Sequence, residues 1–576
     1  MMGEFIRLFP WTILIALACS FLYSVQVIPF LSSRLISRQV GKAPSAFEKV
    51  QEGFFGWLQH GYERLLRFCF RHKTLTLING AIFLLLGVFL FTQLNIQILP
   101  KAERDSFAVE LHLSAGSSVD ETERVADSLT SIMLKDPRVK SITSFVGMSS
   151  PRFHITYAPQ LPSDNYAQFI VNTVSDEATK EIIAEYAQRY ENYFPQAQIR
   201  FKQMDYQPAA SPIEFYIQAE DYAKIEPVRD SLLRIMKQNP NLFYVHSDYD
   251  ETQAMVDVVL KTDIANRLGI TQSTLSVFLS GALSGTNLTS LWEGDYSIPI
   301  AIYSEGKQQI DYASLGDMLV PGAQPGAWVP LRLVADIKPH FHHNNLPHRN
   351  GIRTVTVSAD VMAGAGQMRE FRKIMKELDK MDIPEGVTID QGGTYAVSRS
   401  LMPNLMLSVV AAIGVMFLVL IIHYGKLGIS LLSISMSVLC VFGAILGLWM
   451  FGLDFSVTAT LGIISLVGII VRNAIIMYDY VAELRNKELM SVQDAAFTAG
   501  IRRMRPIFLT SATTALGVIP MILAGTMLWM PMGVVICFGT LFTLPFVVTI
   551  LPVAYCVAFE NKKRQNFRPF KDRVRD

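Results

Sequence analysis

One full positive charge, Arg472, lies beside Asn473 in the middle of an apolar run, SLVGIIVRNAIIMYDY (Ser465–Tyr480). At mid-membrane such a charge costs roughly 2.5–3.5 kcal/mol on insertion scales, so it requires a partner or a water-filled cavity. No apolar run of this chain offers a deeply placed Asp or Glu. Asp479, two turns along the same face, falls near the end of its own run. Two readings follow. Either Arg472 snorkels to the interface or pairs with backbone carbonyls, or its carboxylate partner stands on a helix outside this chain. In the second case the chemistry is proton coupling: an ionised acid attracts the guanidinium and a protonated acid releases it.

Other candidate groups are weaker. Arg502-Arg503-Met504-Arg505-Pro506, followed by Thr510-Ser511, opens another apolar run. Arginines ahead of a span usually set its orientation, and Thr in a span usually bonds to its own backbone. Pro339-His340-Phe341-His342-His343, with His348 nearby, could set imidazoles at alternate strand positions around Zn or Cu. No Cys or close carboxylate completes that set, and the stretch reads as a polar loop. The cysteines (Cys19, Cys69, Cys440, Cys537, Cys556) all lie outside Pro100–Gly393, which excludes a disulfide framework or Cys-based zinc site there. Methionines such as Met133, Met148 and Met204 suit core filling better than soft-metal ligation. There is no Gly-rich phosphate loop and no nucleophile elbow, so neither ATP-driven transport nor an enzyme activity is expected, and no cofactor is implied. A net charge of +1 gives no reason to expect nucleic acid as a partner.

The elements that hold these residues are mostly apolar. Half of the residues are hydrophobic and 18% are charged, against roughly 25% charged in a soluble globular protein. Runs long enough to cross a bilayer fall at Trp11–Leu31, Thr74–Phe91, Leu401–Tyr424, Ile429–Met450, Ser456–Met477, Ile507–Leu528 and Gly533–Phe559. Lys and Arg concentrate in residues 32–73, between the fifth and sixth runs, and in the tail after Phe559. The turns Phe451–Phe455 and Trp529–Met532 have none. The positive-inside rule then puts the tail in the cytoplasm and the large soluble domain outside. An odd number of spans leaves Met1 outside, which suggests earlier spans on another chain or lost. Phe47, Val50, Phe54, Phe55, Leu58, Tyr62, Leu65 and Leu66 recur at helical spacing among polar residues. They predict an amphipathic helix on the cytoplasmic membrane surface, with a bundle-facing helix as the alternative.

From Pro100 to Gly393 strands alternate with helices. Strands are expected at Phe107–Leu113, Val139–Phe145, Phe153–Ala158, Ile199–Lys202, Ile213–Ile217, Met255–Leu260, Ile298–Tyr303 and Thr354–Ala359. Helices are expected at Val119–Leu134, Asp176–Tyr193, Ile225–Gln238, Gln272–Leu283 and Met368–Leu378, the first opened by a capping box of Ser118 and Glu121. Weakly repeated strand–helix–strand units suggest small split βαβ subdomains side by side. The fold class is therefore a polytopic α-helical membrane protein with a large α+β domain of ferredoxin-like split βαβ subdomains.

Several segments resemble the C-terminal half of a resistance–nodulation–division (RND) transporter, and the likeness covers nearly the whole chain. Phe5–Ile36, with Pro29 and Arg34, resembles the family's sixth span. Leu99-Pro100 and Ala115–Thr122 resemble the start of its second periplasmic loop, and IANRLGITQSTLSVFLSGALSG (Ile264–Gly285) a docking segment between protomers. Asn350-Gly351 with Arg353 resembles the strand leading into the last porter subdomain. GIIVRNAIIM and RRMRPIFLTSATTALGVIPM resemble the tenth and eleventh spans. The resemblance implies that Arg472, with Asn473, holds the basic position of a proton relay, usually Lys in drug pumps. It puts Arg503 and Thr510 at the eleventh span's basic and hydroxyl positions. The acidic pair belongs to a fourth span, which this sequence lacks. Arg in place of Lys could alter coupling, because Arg does not release its proton at ordinary pH. The loop GMSSPR (Gly147–Arg152) is short and offers Met148 where drug exporters often carry a longer, Phe-bearing loop. The Pro usual early in the ninth span is missing around Ser433–Ser437.

The resemblance divides the chain into a span (1–40), a cytoplasmic-surface linker helix (41–73), a span (74–92), a periplasmic porter and docking domain (99–393), a five-span bundle (394–560) and a basic tail (561–576). It implies an inner-membrane, proton-driven efflux transporter half, exporting small amphiphilic compounds. Its expected partners are an N-terminal half on a separate or lost chain, a trimer, a periplasmic adaptor protein and an outer-membrane channel. The alternatives are a non-transporting remnant or assembly component, and a metal-ion or lipid exporter of the same family. A membrane-tethered hydrolase lacks any triad.

Overall fold

The computed structural model describes residues 2–36, 46–190, 193–207, 209–249, 252–303, 312–343, 345–362 and 364–560. Among them seven helices are long and apolar enough to cross a membrane. The first, α1 (Met2–Ile36), has no buried residue along Trp11–Arg34. It is followed by α2 (Ala46–Arg71) and α3 (Lys73–Gln93).

The domain between α3 and the later long helices opens with β1 (Ser106–Leu113), α4 (Val119–Met133), β2 (Val139–Val146), β3 (Tyr166–Thr173), α5 (Asp176–Tyr190) and β4 (Ala197–Gln203). The strands form an antiparallel sheet in the order β2-β3-β1-β4. Period-2 alternation in β1 sends Phe107, Val109, Leu111 and Leu113 into one core with Val125, Leu129 and Met133 of α4 and Ile182 and Tyr186 of α5. Ala108, Glu110 and His112 are left for the opposite face. Only half of the expected capping box forms: the Ser118 hydroxyl accepts the Glu121 N–H at 3.3 Å. Phe153–Ala158, expected as a strand, is irregular, and the strand is β3 instead. β3 is buried on both faces: Ala167, Phe169 and Val171 join the core under the helices, and Tyr166 and Gln168 are buried on the other face, where Ile170 also interrupts the polar positions of a half-exposed strand. The β2–β3 connection consequently runs from Gly147 to Asn165. It is not short, and it carries Phe153 and Tyr157 with rings 5.1 Å apart.

A second unit begins with β5 (Ile213–Ala219), α6 (Tyr222–Lys237) and β6 (Leu242–Ser247). It is interrupted by an insertion: β7 (Thr252–Leu260), α7 (Thr262–Arg267), α8 (Gln272–Ser284), β8 (Thr286–Glu293), β9 (Tyr296–Ile302), α9 (Tyr312–Leu315), β10 (Leu319–Pro321), β11 (Trp328–Pro330), α10 (Leu331–Val334) and β12 (Ala335–His343). The histidine run is not a loop. It forms β12, because β7 supplies a complete antiparallel partner with His340 opposite Met255 and His342 opposite Gln253. Every residue of β8 is exposed. The unit resumes with β13 (His348–Arg349), β14 (Ile352–Val361), α11 (Gln367–Leu378) and β15 (Thr388–Gln391). Its sheet has five strands: β6-β14-β5-β15 repeat the positional order of the first unit, and the two-residue β13 also pairs with β14.

α12 (Gly393–Tyr424) starts inside this second unit, where Gly393, Thr394 and Ser398 are buried and Tyr395 stacks on Phe371 at 4.4 Å. The next span is two helices, α13 (Leu427–Ser437) and α14 (Cys440–Met450), broken at Val438-Leu439. α15 (Val457–Lys487), α16 (Val492–Leu523) and α17 (Met530–Phe559) complete the bundle. α16 begins well before the expected Ile507, because the Ser491 hydroxyl caps Asp494 N–H at 3.1 Å and starts the helix there. Arg502, Arg503 and Arg505 are therefore helical. α17 packs against α14, α15 and α16 at the centre. Small residues permit the approach: a Cβ on Gly539 would stand 2.3 Å from Leu466, and one on Gly443 2.8 Å from Thr543.

Candidate functional site

α15 and α16 run antiparallel and meet at Tyr480. Arg502 Nη1 donates to the Tyr480 hydroxyl at 2.6 Å, and the Arg503 guanidinium lies 4.3 Å from the ring centroid. Asn473 and Thr510 each stand roughly two turns beyond this contact, in opposite chain directions, so antiparallel helices bring them to one level. Asn473 is 3% exposed, and its Oδ1 is buried without a hydrogen-bond partner. Arg472 is exposed on the bundle surface and makes no hydrogen bond or ion pair among the described residues. Thr510 Oγ1 donates to the Ile507 carbonyl at 3.0 Å, as a span Thr is expected to do. Arg503 is held nearer the arginine-rich end, and its Nε is buried without an acceptor.

Of the four expected residues, helix geometry puts Arg472, Asn473 and Thr510 at one level and Arg503 about two turns away, with no hydrogen bond or ion pair between any two of them among the described residues. Asp479 does not serve Arg472. Both its carboxylate oxygens lie 3.1 Å from His423 Nε2 at the end of α12. Two polar groups on adjacent residues of a long apolar helix, the Arg472 guanidinium and the Asn473 Oδ1, therefore lack partners among the described residues, where lone polarity is costly.

A second charged cluster escaped the sequence reading. Arg200 of β4 pairs in register with Glu110 of β1, on the sheet face turned away from α4 and α5. Arg200 Nη1 lies 3.2 Å from Glu110 Oε2, while its Nε and Nη2 form a fork on Asp360 of β14 at 2.6 and 2.7 Å. Nη2 also donates to the Ala210 carbonyl and the Ser211 hydroxyl at 2.8 and 2.9 Å. Tyr157 donates to Glu110, and the Tyr244 ring centroid stands 5.3 Å from the guanidinium. Glu110, Arg200 and Asp360 are all buried. Burial alone would raise the Glu110 pKa, but Arg200 and Lys202 overcome it and hold the carboxyl down to about 2. Burial pushes the nearby His112 down to about 4, against the pull of Glu110. The cluster ties the two sheets together. Its signal in the sequence was a charged residue within each of three strand-like runs: Glu110 in SFAVELHL, Arg200 in AQIRFKQ and, near the end, Asp360 in IRTVTVSADV.

The histidines of β12 diverge. His340 and His342 share one exposed face with rings 5.6 Å apart, whereas His343 stacks on Tyr249 at 3.9 Å on the other. His348 stands edge-on to Tyr222. Among the described residues, no group of three or more His, Cys, Asp or Glu could hold a metal ion.

Residues 1–559 match the model of the AcrB/AcrD/AcrF family. The swarming motility protein SwrC of Bacillus subtilis (strain 168) is 26% identical over 579 residues, which cover 98% of this chain and 53% of SwrC. Two crystal forms of a heavy metal efflux pump share its fold at 20% and 21% identity, with TM-scores of 0.75 and 0.76. Each alignment covers 88% of this chain and 52% or 53% of the pump. The chain spans about half the length of the relatives it matches.

Proposed function

We propose, from the premise that this chain belongs to the AcrB/AcrD/AcrF family of RND transporters, that it supplies the basic side of a proton relay in an efflux transporter. The observation that carries this reading is Arg472, a mid-span charge without a partner among the described residues. A carboxylate on a complementary N-terminal half would complete it. Ionised, that acid accepts from the guanidinium; protonated, it releases the guanidinium and can instead donate its O–H to the buried Asn473 Oδ1. Arg472 itself stays charged throughout, so the proton travels on the acid and the arginine reports its state. The arginine-rich ends of α2 and α16 support a cytoplasmic placement, with the soluble domain in the periplasm of an inner membrane. The shared positional order of the two sheets supports ferredoxin-like subdomains. The fully exposed β8, with Leu291 and Trp292, supports a partner protomer, while the trimer, adaptor and outer-membrane channel rest on family membership alone. For cargo, small amphiphilic compounds are favoured over the metal named for the structural relatives, given the divergent histidines of β12.

The test is co-expression with a matching N-terminal half in cells lacking their own pumps. Export of an amphiphilic dye should appear only with both halves, collapse on adding a protonophore, and vanish with Arg472→Ala. Persistent, protonophore-sensitive export by the Arg472→Ala pair would overturn the ion-pair mechanism. No export from the unmutated pair would favour a non-transporting assembly role.

A further inference from the structure

The face of α2 turned to the bundle is firmly seated. Leu66, Cys69 and Phe70 are buried with residues of α15, α16 and α17, and Phe55 and Phe70 meet Phe508 and Phe497 edge-on. Pro552 has no N–H to offer the Val548 carbonyl one turn back, and the Tyr62 hydroxyl donates to that carbonyl instead, at 3.0 Å. Beside this seam the helices part. A groove of about 420 Å³ opens between Trp57, Gly61 and Leu65 of α2, Phe508 of α16, and Leu544 and Pro545 of α17. Its floor is open because residue 61 is glycine: a Cβ there would meet nothing within 4 Å.

We propose that this groove binds an anionic phospholipid, with an acyl chain between α2 and α17 and the phosphate on Arg64. The walls are apolar, and the groove is continuous with a stripe of exposed apolar residues on α2, Phe54, Trp57, Leu65 and Phe68. Trp57 is 73% exposed, a position suited to an indole at the headgroup level. The rim is cationic. Arg64 lines the groove and has no partner among the described residues. Arg505, next in sequence to the groove-lining Met504, lies outside the lining and stacks 4.5 Å from the Phe55 centroid. The nearest carboxylate on α2, Glu63, is already paired with Arg67 at 2.7 Å. Apolar walls, an indole at the edge and an uncompensated arginine match a lipid tail and a negative headgroup together. None of these residues belongs to the relay around Arg472.

The experiment places the full chain in nanodiscs of phosphatidylcholine doped with lipids brominated on their acyl chains. The Trp57 signal is taken as the difference from a Trp57→Phe variant. Brominated phosphatidylglycerol should quench Trp57 at lower mole fraction than brominated phosphatidylcholine. Arg64→Gln, at an exposed position, should cut that preference about fivefold, the effect of one cation near an anionic headgroup. Gly61→Phe should remove the difference between the two lipids by filling the groove, leaving only the quenching that bulk lipid gives an exposed indole. Equal quenching by the two lipids, unchanged in Arg64→Gln, would overturn the proposal. So would an absence of any Trp57 quenching, which would indicate that a protein segment occupies the groove.

Discussion

At the scale of single residues, the chain sets one unpaired arginine against one that is fully paired. Arg200 spends its guanidinium on Glu110, Asp360, Ser211 and a carbonyl. Removing it strands two buried carboxylates, so Arg200→Met should destabilise the soluble domain by about 3–5 kcal/mol. Thermal unfolding of the full chain in detergent, followed by near-ultraviolet circular dichroism, would measure this. Acid should loosen the same region for a different reason. Unfolded, His112 titrates at its ordinary 6.5, whereas burial in the fold holds it to about 4. The unfolded chain binds more protons across that window, so stability must fall as pH drops from 6.5 towards 4. Glu110, held down to about 2, contributes stability that is complete above its ordinary 4.5 and is lost only below it. His112→Gln should therefore flatten the dependence between pH 6.5 and 4.5. An unchanged slope would rule out this histidine as its source.

At the scale of elements, α2 hangs on its tyrosine. Tyr62→Phe keeps the ring but leaves the Val548 carbonyl without a donor in a buried seam, a loss of about 1–3 kcal/mol. Hydrogen exchange along α2 should quicken while α15 stays protected, and equal protection in both would refute the tether. The elements also differ in how far the sequence disclosed them. The spans were legible because a bilayer demands long apolar runs, and the structure has helices at all seven. The break at Val438-Leu439 was not, since neither Pro nor Gly marks it. β3 was hidden by burial on both faces, and β12 by a polar composition that only its partner β7 turns into a strand. In the site, Arg472 was visible as a lone charge in an apolar run. The Arg200 cluster was not, because Asp360 arrives from the far side of an insertion and periodicity carries no information about which sheets touch.

At the scale of the whole molecule, two surfaces look unfinished among the described residues: the bare Trp11–Arg34 span of α1 and the apolar hairpin of β8 and β9. Replacing Leu291 and Trp292 with Asp should lower the oligomeric mass of the full chain in detergent, read by mass photometry, without changing its melting temperature. An unaltered mass would remove the hairpin from the assembly interface. The last consequence comes from α12, which leaves β15 inside the second sheet and continues without a break to Tyr424. An α-helix resists stretching far more than bending, so a displacement along the axis of this one would reach the sheet as a push or pull, whereas a sideways displacement would be taken up in part by bending at Pro403, where the helix lacks one backbone bond.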